Sequence, residues 1–151
     1  MLSKRDINIL LVDMRAHVES EGKTITMGIK ESDDLLLWID YLNKRFTHQD
    51  ILLYGISMGG YTVLKTGTKL PACVKGIFSD CPYNSPKDIV KKVCKKDLKF
   101  PLFIGYPLLY GAARIWGRFS LNDDISQKAK DIKVPTYIVH GEADDFVPAS
   151  M

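Results

Sequence analysis

The fold prediction starts from one stretch of sequence, Asp50-Ile-Leu-Leu-Tyr-Gly-Ile-Ser-Met-Gly-Gly60. Residues 51–54 are apolar on both faces and too few for a helix, which is typical of a strand buried in a parallel sheet. Residues 61–70 then follow a helical pattern that ends before Pro71, because proline cannot continue a helix. The stretch therefore predicts a strand, a tight glycine-rich turn and a helix, in that order.

The predicted turn holds a serine, Ser57, with glycines two positions before and after it, Gly55 and Gly59. This spacing is typical of a nucleophile elbow, in which the turn is too tight for side chains at the neighbouring positions. The backbone N–H of Met58 would stand at the positive end of the helix, where it could stabilise a developing oxyanion. The alternative is a glycine-rich turn in which Ser57 only caps the helix.

Length and composition favour a single globular domain. The 151 residues, of which 46% are hydrophobic and 26% charged, suffice for one core. The net charge of +3 is too small to indicate nucleic-acid binding. Cys73, Cys81 and Cys94 form no metal-ligand or disulfide pattern, so we predict no metal site and no cofactor. With no signal-peptide core near the N-terminus, the predicted location is the cytoplasm.

The rest of the chain alternates between strand and helix patterns. Residues 7–12, 74–79 and 136–140 read as short buried strands, and residues 29–45 read as a helix with acidic residues early and basic residues late. This alternation predicts an α/β fold, a mostly parallel sheet with flanking helices. Functional residues are then expected at the carboxyl ends of the strands.

A long insertion, about residues 81–133, separates the last two predicted strands. Ser85 and Pro86 form a helix start, and the helix should place Lys91, Lys92, Lys95 and Lys96 on a solvated face or, alternatively, against an anionic membrane or substrate. An apolar run, residues 100–117, is broken by prolines, glycines and an arginine, so we predict no membrane span. The insertion reads as a mostly helical lid whose aromatics could line an acyl pocket or only pack within the lid: Phe100, Phe103, Tyr106, Tyr110 and Trp116.

A second motif follows the last predicted strand, His140-Gly-Glu-Ala-Asp-Asp-Phe-Val-Pro148. Together with the Ser57 turn and the segment Asp13-Met-Arg-Ala-His-Val-Glu-Ser20, it resembles the α/β-hydrolase superfamily. The resemblance is strongest to lidded bacterial serine aminopeptidase-like and acylglycerol-lipase-like hydrolases. It covers the whole chain as one domain and implies Ser57 as nucleophile and Asp144 as the acid that orients a catalytic histidine. It also implies a small-molecule ester or amide substrate, possibly acyl-containing.

Two further carboxylates, Asp145 and Asp80, lie near the predicted site and have alternative roles. Asp145 falls one place outside the family pattern and is expected to be a turn residue. Asp80, at the end of the third predicted strand, is either an alternative acid or a cap for the turn before Pro82.

The sequence also departs from the family. Ala16 and Val18 replace two glycines of the usual R-G-H-G-x-S loop, which makes the conformation of this loop uncertain. In the family, a further strand precedes the region seen here and lies in the sheet between the strands at residues 7–12 and 51–54. Neither that strand nor the catalytic histidine expected beyond Met151 is seen. By strand geometry, His48 and His140 are too far from Ser57 to act as its base. His17 is expected at the correct edge but on the other side, where it would stabilise its own loop.

The sequence therefore predicts a serine hydrolase that works by acyl transfer, present here as a fragment. The isolated chain should be inactive and poorly soluble, because the missing strand leaves backbone groups unpaired. The alternative is a non-catalytic, hydrolase-like binding module. An acyltransferase would use the same residues as a hydrolase.

Overall fold

Three parallel strands form the sheet of this protein. The computed structural model describes residues 7–47, 49–96 and 101–149. Within them, β1 (Ile51–Ile56), β2 (Val74–Asp80) and β3 (Thr136–Val139) lie in the order β1-β2-β3. Ile56 pairs with Asp80, and Asp80 pairs with Val139, so the three strands end at the same edge. This confirms the predicted parallel α/β architecture and three of the four predicted strands.

The prediction of a strand over residues 7–12 is wrong. These residues form no strand, and most of their apolar side chains are exposed, with Leu11 at 88%. The physical reason is the lack of a neighbour: a strand needs a partner for its N–H and C=O groups. In the described ranges, β1 pairs with β2 alone and no strand lies on its other side.

Two helices flank the Ser57 turn, as predicted, with shifted ends. Helix α1 (Glu31–Arg45) has acidic residues in its first turn and basic residues in its last turn. Helix α2 (Met58–Thr66) begins directly after Ser57 and passes into a 3₁₀ turn at Gly67–Lys69 before Pro71. Tyr61 and Leu64 of α2 are buried in the core, as the helical pattern predicted. Ile39 of α1 is buried, whereas Phe46, directly after the helix, is exposed.

One face of the sheet is covered by α2, and the other is open. Side chains alternate along a strand, so every second residue of β1 lies on the same face. On the uncovered side, exposure is 76% for Leu52 and 66% for Tyr137. We call this surface the open face, and it comprises Leu52, Tyr54, Ile56, Phe78, Tyr137 and Val139.

The insertion is mostly helical, as predicted. It contains α3 (Pro86–Lys96), α4 (Leu102–Ala112), a π-helical turn (Ala113–Gly117) and a 3₁₀ turn (Lys128–Asp131). The Ser85 hydroxyl accepts a hydrogen bond from the Lys87 amide at 3.2 Å, which confirms the predicted helix start. However, α4 continues through Pro107 rather than breaking there. Among the described residues, none of the helices combines the length and apolar character needed to cross a bilayer.

Asp123 ties the insertion to α2. Its carboxylate accepts hydrogen bonds from the Tyr61 hydroxyl at 2.8 Å, from the Lys128 ammonium at 2.8 Å and from the Lys65 ammonium. Burial raises the pKa of Asp123, but the hydrogen bonds from Lys128, Lys65 and Tyr61 outweigh it and lower the pKa to about 2. The insertion is thus anchored to the helix that follows Ser57.

Candidate active site

Ser57 lies between the last residue of β1 and the first residue of α2. Its backbone has φ 53° and ψ −113°, a region that costs a non-glycine residue on the order of 1–3 kcal/mol. Its N–H donates to the Asp80 carbonyl at 2.8 Å, and its carbonyl accepts from the Tyr61 amide at 2.9 Å. Ser57 makes no side-chain cap hydrogen bond with α2. The alternative of a simple capping serine is therefore not supported.

The glycines around Ser57 differ in how much they are needed. A Cβ on Gly55 would stand 2.2 Å from the Gly59 carbonyl oxygen, which no side chain tolerates. A Cβ on Gly59 would contact only the Met14 side chain, at 3.6 Å. On Gly60 it would come within 2.8 Å of the Ser79 hydroxyl and 3.0 Å of the Asp80 carbonyl oxygen. Close packing thus requires Gly55 and Gly60, and the sequence reasoning missed Gly60 although it follows directly after the motif.

Met58 supplies a candidate anion-binding group. It is the first residue of α2, where a backbone N–H has no acceptor within the helix and the helix dipole is positive. This amide follows Ser57 directly, so it can donate to an oxygen that becomes negatively charged next to the Ser57 hydroxyl.

The loop around Arg15 keeps a tight conformation without the two glycines. Ala16 and Val18 adopt φ values of 59° and 47°, in the left-handed region that favours glycine. The Arg15 guanidinium holds the loop against α1 through a two-pronged pair with Asp34, with Nε at 2.6 Å from Oδ2 and a terminal nitrogen at 2.5 Å from Oδ1. Hydrogen bonding to Asp34 raises the pKa of Arg15. The loop therefore accommodates Ala16 and Val18, in place of the two glycines of the family's loop, at the cost of backbone strain.

Asp144 lies in the loop that follows β3. Its Oδ1 accepts hydrogen bonds from the backbone N–H groups of Phe146 at 2.9 Å and Val147 at 2.8 Å. The Val147 amide contributes most to lowering the pKa of Asp144. The carboxylate is thus held ionised and oriented by its own loop.

The described histidines are engaged within their own loops. The Nε2 of His140 donates to the Val147 carbonyl at 2.5 Å and lies 3.7 Å from Oδ2 of Asp144. The Nδ1 of His17 donates to the Arg15 carbonyl at 2.9 Å, in line with the predicted loop-stabilising role. His48 lies outside the described residues.

Ser57 and the Asp144 loop meet the same edge of the sheet. Ile56 and Val139 are in register through Asp80, and Ser57 directly follows Ile56 while His140 opens the Asp144 loop. Two strand spacings of about 4.8 Å separate β1 from β3. The carboxyl edge of the sheet thus brings together the two candidate catalytic segments.

Asp80 and Asp145 act mainly through their backbones here. The Asp80 carbonyl fixes the Ser57 amide, and its Oδ2 lies 3.4 Å from the Tyr54 hydroxyl that donates to it. The Asp145 carbonyl accepts hydrogen bonds from Lys92 and Lys96 of the insertion.

The described aromatics of the insertion differ in their surroundings. Tyr106 and Tyr110 line an open groove together with Lys87, Lys91 and Asn122. Phe103 and Trp116 are 80% and 78% exposed, and Phe100 lies outside the described residues. This groove combines aromatic with positively charged side chains. An acyl pocket and packing within the lid both stay predictions.

A serine on a strained strand-to-helix turn, at the carboxyl edge of a parallel α/β sheet, is the arrangement that defines the α/β hydrolases. The model of the family described as serine aminopeptidase, S33, matches residues 1–104, more than half of the chain. The chain therefore belongs to the serine aminopeptidase S33 family.

Individual proteins are similar to this chain in sequence or in fold. A curated relative, the uncharacterized protein YqkD of Bacillus subtilis, is 25% identical over 146 residues, which cover 95% of this chain and 48% of the relative. A Pyrococcus furiosus esterase is similar in structure, with a TM-score of 0.68, 24% identity and coverage of 91% of this chain and 50% of the esterase.

A lipase-esterase related protein from Clostridium acetobutylicum gives a TM-score of 0.63 at 17% identity, covering 91% of this chain and 65% of that protein. At these identities the two solved structures show a shared fold. The chain spans about half the length of the curated relative and of the Pyrococcus esterase.

Proposed function

We propose that this chain carries the nucleophile and the acid of a serine hydrolase acting on ester or amide bonds. The observation that carries the proposal is the backbone of Ser57, at φ 53° and ψ −113°, with no cap hydrogen bond to justify the strain. Strain of this kind persists where the surrounding structure enforces it, and it is common at catalytic turns. Here Gly55 and Gly60 leave the space that the turn needs.

The chemistry follows from the placement of three groups. The Ser57 oxygen attacks the substrate carbonyl carbon and forms a C–O bond, while the carbonyl oxygen becomes an oxyanion that accepts the Met58 N–H. When the tetrahedral intermediate collapses, the bond to the leaving alcohol or amine breaks. The Ser57 proton passes through a base to the leaving group, and water later releases the acyl group by the same route. Asp144 would orient that base.

The described histidines do not provide the isolated chain with a well-placed general base for Ser57. His17 and His140 each use a ring nitrogen on a carbonyl of their own loop, so neither is poised to take the Ser57 proton. We therefore expect the 151-residue chain alone to show negligible turnover. The same observation favours the second candidate function, a non-catalytic binding module that retains the hydrolase turn.

We also propose that the insertion forms a lid beside the carboxyl edge.

A labelling experiment separates these two functions. The purified chain is treated with a fluorophosphonate probe, which phosphonylates activated serines, with and without added imidazole as an external base. We expect slow labelling of Ser57 that rises with imidazole concentration, because the small base can take the proton that neither His17 nor His140 is placed to take. Mass spectrometry locates the modified residue.

Matched variants make the result specific. Ser57→Ala should remove the imidazole-dependent labelling, whereas Ser126→Ala, which alters a serine bonded to Asp124 in the insertion, should leave it unchanged. Equal labelling of the Ser57→Ala chain, or no labelling of Ser57 at any imidazole concentration, would refute the hydrolase proposal and support the binding module.

A further inference from the structure

The insertion contacts the Asp144 loop through lysines of α3, chiefly Lys92. The Lys92 ammonium of α3 donates to the backbone carbonyls of Asp145 and, at 2.7 Å, Phe146. Lys96, one turn further along α3, reaches the Asp145 carbonyl at 3.4 Å. The sequence predicted these lysines on a solvated face or against an anion, and the structure instead places Lys92 on neutral backbone oxygens more than 50 positions away.

The two peptide groups that Lys92 binds are the same two that hold Asp144. The carbonyl of Asp145 and the N–H of Phe146 belong to one planar peptide unit, and the carbonyl of Phe146 and the N–H of Val147 belong to the next. Lys92 binds the oxygen side of both units, and Oδ1 of Asp144 accepts from the nitrogen side of both. A cation on the oxygen side fixes each plane and polarises its N–H, which strengthens the bond on the other side.

We propose that Lys92 is a positioning residue for Asp144, acting through the two peptide units between residues 145 and 147. The insertion thereby controls the orientation of the carboxylate: when α3 moves away, the loop loses the contact that fixes both amides on Oδ1. The catalytic meaning of this control rests on the proposed function, in which Asp144 orients the base. The contact itself can be tested without any activity.

Other features of the structure agree with this role. Asp144 carries a lowered pKa, to which the positive charge of Lys92 contributes after the amides of Val147 and Phe146 and the charge of His140. Lys91, the neighbour of Lys92, instead places its ammonium 5.3 Å from the centre of the Tyr106 ring, so the two lysines have different partners. Lys91 therefore offers a matched control with the same charge on the same helix.

Hydrogen exchange measures the coupling directly. Amide exchange of peptides covering residues 143–148 is followed by mass spectrometry in the full chain and in Lys92→Met, Lys92→Arg and Lys91→Met. Lys92→Met should accelerate exchange of the Phe146 and Val147 amides about threefold to tenfold, the loss expected from one typical intramolecular hydrogen bond. Lys92→Arg should restore most of the protection, and Lys91→Met should leave it unchanged.

A reference segment and a double variant make the test decisive. Exchange in β2 reports global unfolding, and it should not change in Lys92→Met. Asp144→Asn should also accelerate the two amides, and the double variant should exchange more slowly than the product of the two single effects, because both residues act on the same peptide units.

Equal acceleration in β2, an equal effect of Lys91→Met, or purely multiplicative effects in the double variant would each overturn the proposal. These outcomes are independent of fluorophosphonate labelling of Ser57. Either proposal can therefore fail while the other stands.

Discussion

Replacing Val18 with glycine should stabilise this chain, although the substitution removes a whole side chain. Val18 has φ 47°, and its side chain is 87% exposed, so almost no buried contact is lost. Holding an L-residue in the left-handed region costs about 1–2 kcal/mol, and more for a β-branched side chain than for alanine. Glycine removes this cost but adds about 0.4–1 kcal/mol of conformational entropy to the unfolded chain. The net gain should be about 1 kcal/mol.

Urea denaturation followed by circular dichroism measures this difference. In a thermal scan of the same signal, a gain of about 1 kcal/mol in the free energy of unfolding should raise the melting temperature by roughly 2–4 °C for a chain of this size. Val18→Ala should give a smaller gain, because alanine relieves only the β-branched part of the strain. The opposite change, Gly22→Ala, should destabilise the chain, because Gly22 has φ 119° and a Cβ there would lie 3.2 Å from the Ala16 nitrogen.

A Val18→Gly chain that is less stable than the parent, with an unchanged denaturant dependence, would refute the reasoning. In that case the loop would not hold the strained backbone that the φ values describe. The Arg15–Asp34 pair would then fix a different conformation from the one described here.

Three further predictions concern the turn, the anchor of the insertion and the open face. Gly55→Ala should destabilise the chain by roughly 3 kcal/mol or more, since its Cβ would meet the Gly59 carbonyl at 2.2 Å, while Gly59→Ala should cost less than about 1 kcal/mol in the same urea titration. Because the folded pKa of Asp123 is about 2 and its ordinary value is 3.8, its carboxylate stabilises the fold above about pH 4, and this stability is lost as pH falls towards 2. We expect a loss of about 1–2 kcal/mol, reduced for solvent screening, that is absent in Asp123→Asn and retained in Asp124→Asn. On the open face, Leu52→Lys combined with Tyr137→Lys should reduce self-association in light scattering with little loss of stability, because both side chains are largely exposed, and unchanged association would exclude this face as its cause.

The sequence predicted those parts of the fold that local patterns determine. Ile51–Ile56, Val74–Asp80 and Thr136–Val139 are short apolar runs bounded by turn residues, and each is a strand in the structure. The run at residues 7–12 has the same local pattern, yet it forms no strand, because strand formation also requires a neighbour. Periodicity along the chain carries no information about whether that neighbour is present.

The same distinction separates the predicted and the missed features of the site. Ser57, Met58 and Asp144 follow from motifs with fixed spacing, and the structure places them at one edge of the sheet. The need for Gly60 arises from β2, because the Ser79 hydroxyl and the Asp80 carbonyl crowd its position. The Lys92 contact joins residues more than 50 positions apart, so helical spacing could place Lys92 on a face but could not name its partner.

The strain at Ser57 also bears on the choice between hydrolase and binding module. A turn that only joins β1 to α2 would gain on the order of 1–3 kcal/mol from glycine at position 57, which adopts positive φ without strain. A binding module gains nothing from a serine on a backbone that penalises it, whereas a nucleophile must project from such a turn towards the substrate. The Asp144 loop supports the same conclusion. Two backbone amides hold the Asp144 carboxylate ionised, yet His140 does not need this carboxylate as an acceptor, because it donates to the Val147 carbonyl instead. Two separately constrained segments at one edge of the sheet are therefore the reason why we propose acyl transfer rather than binding alone.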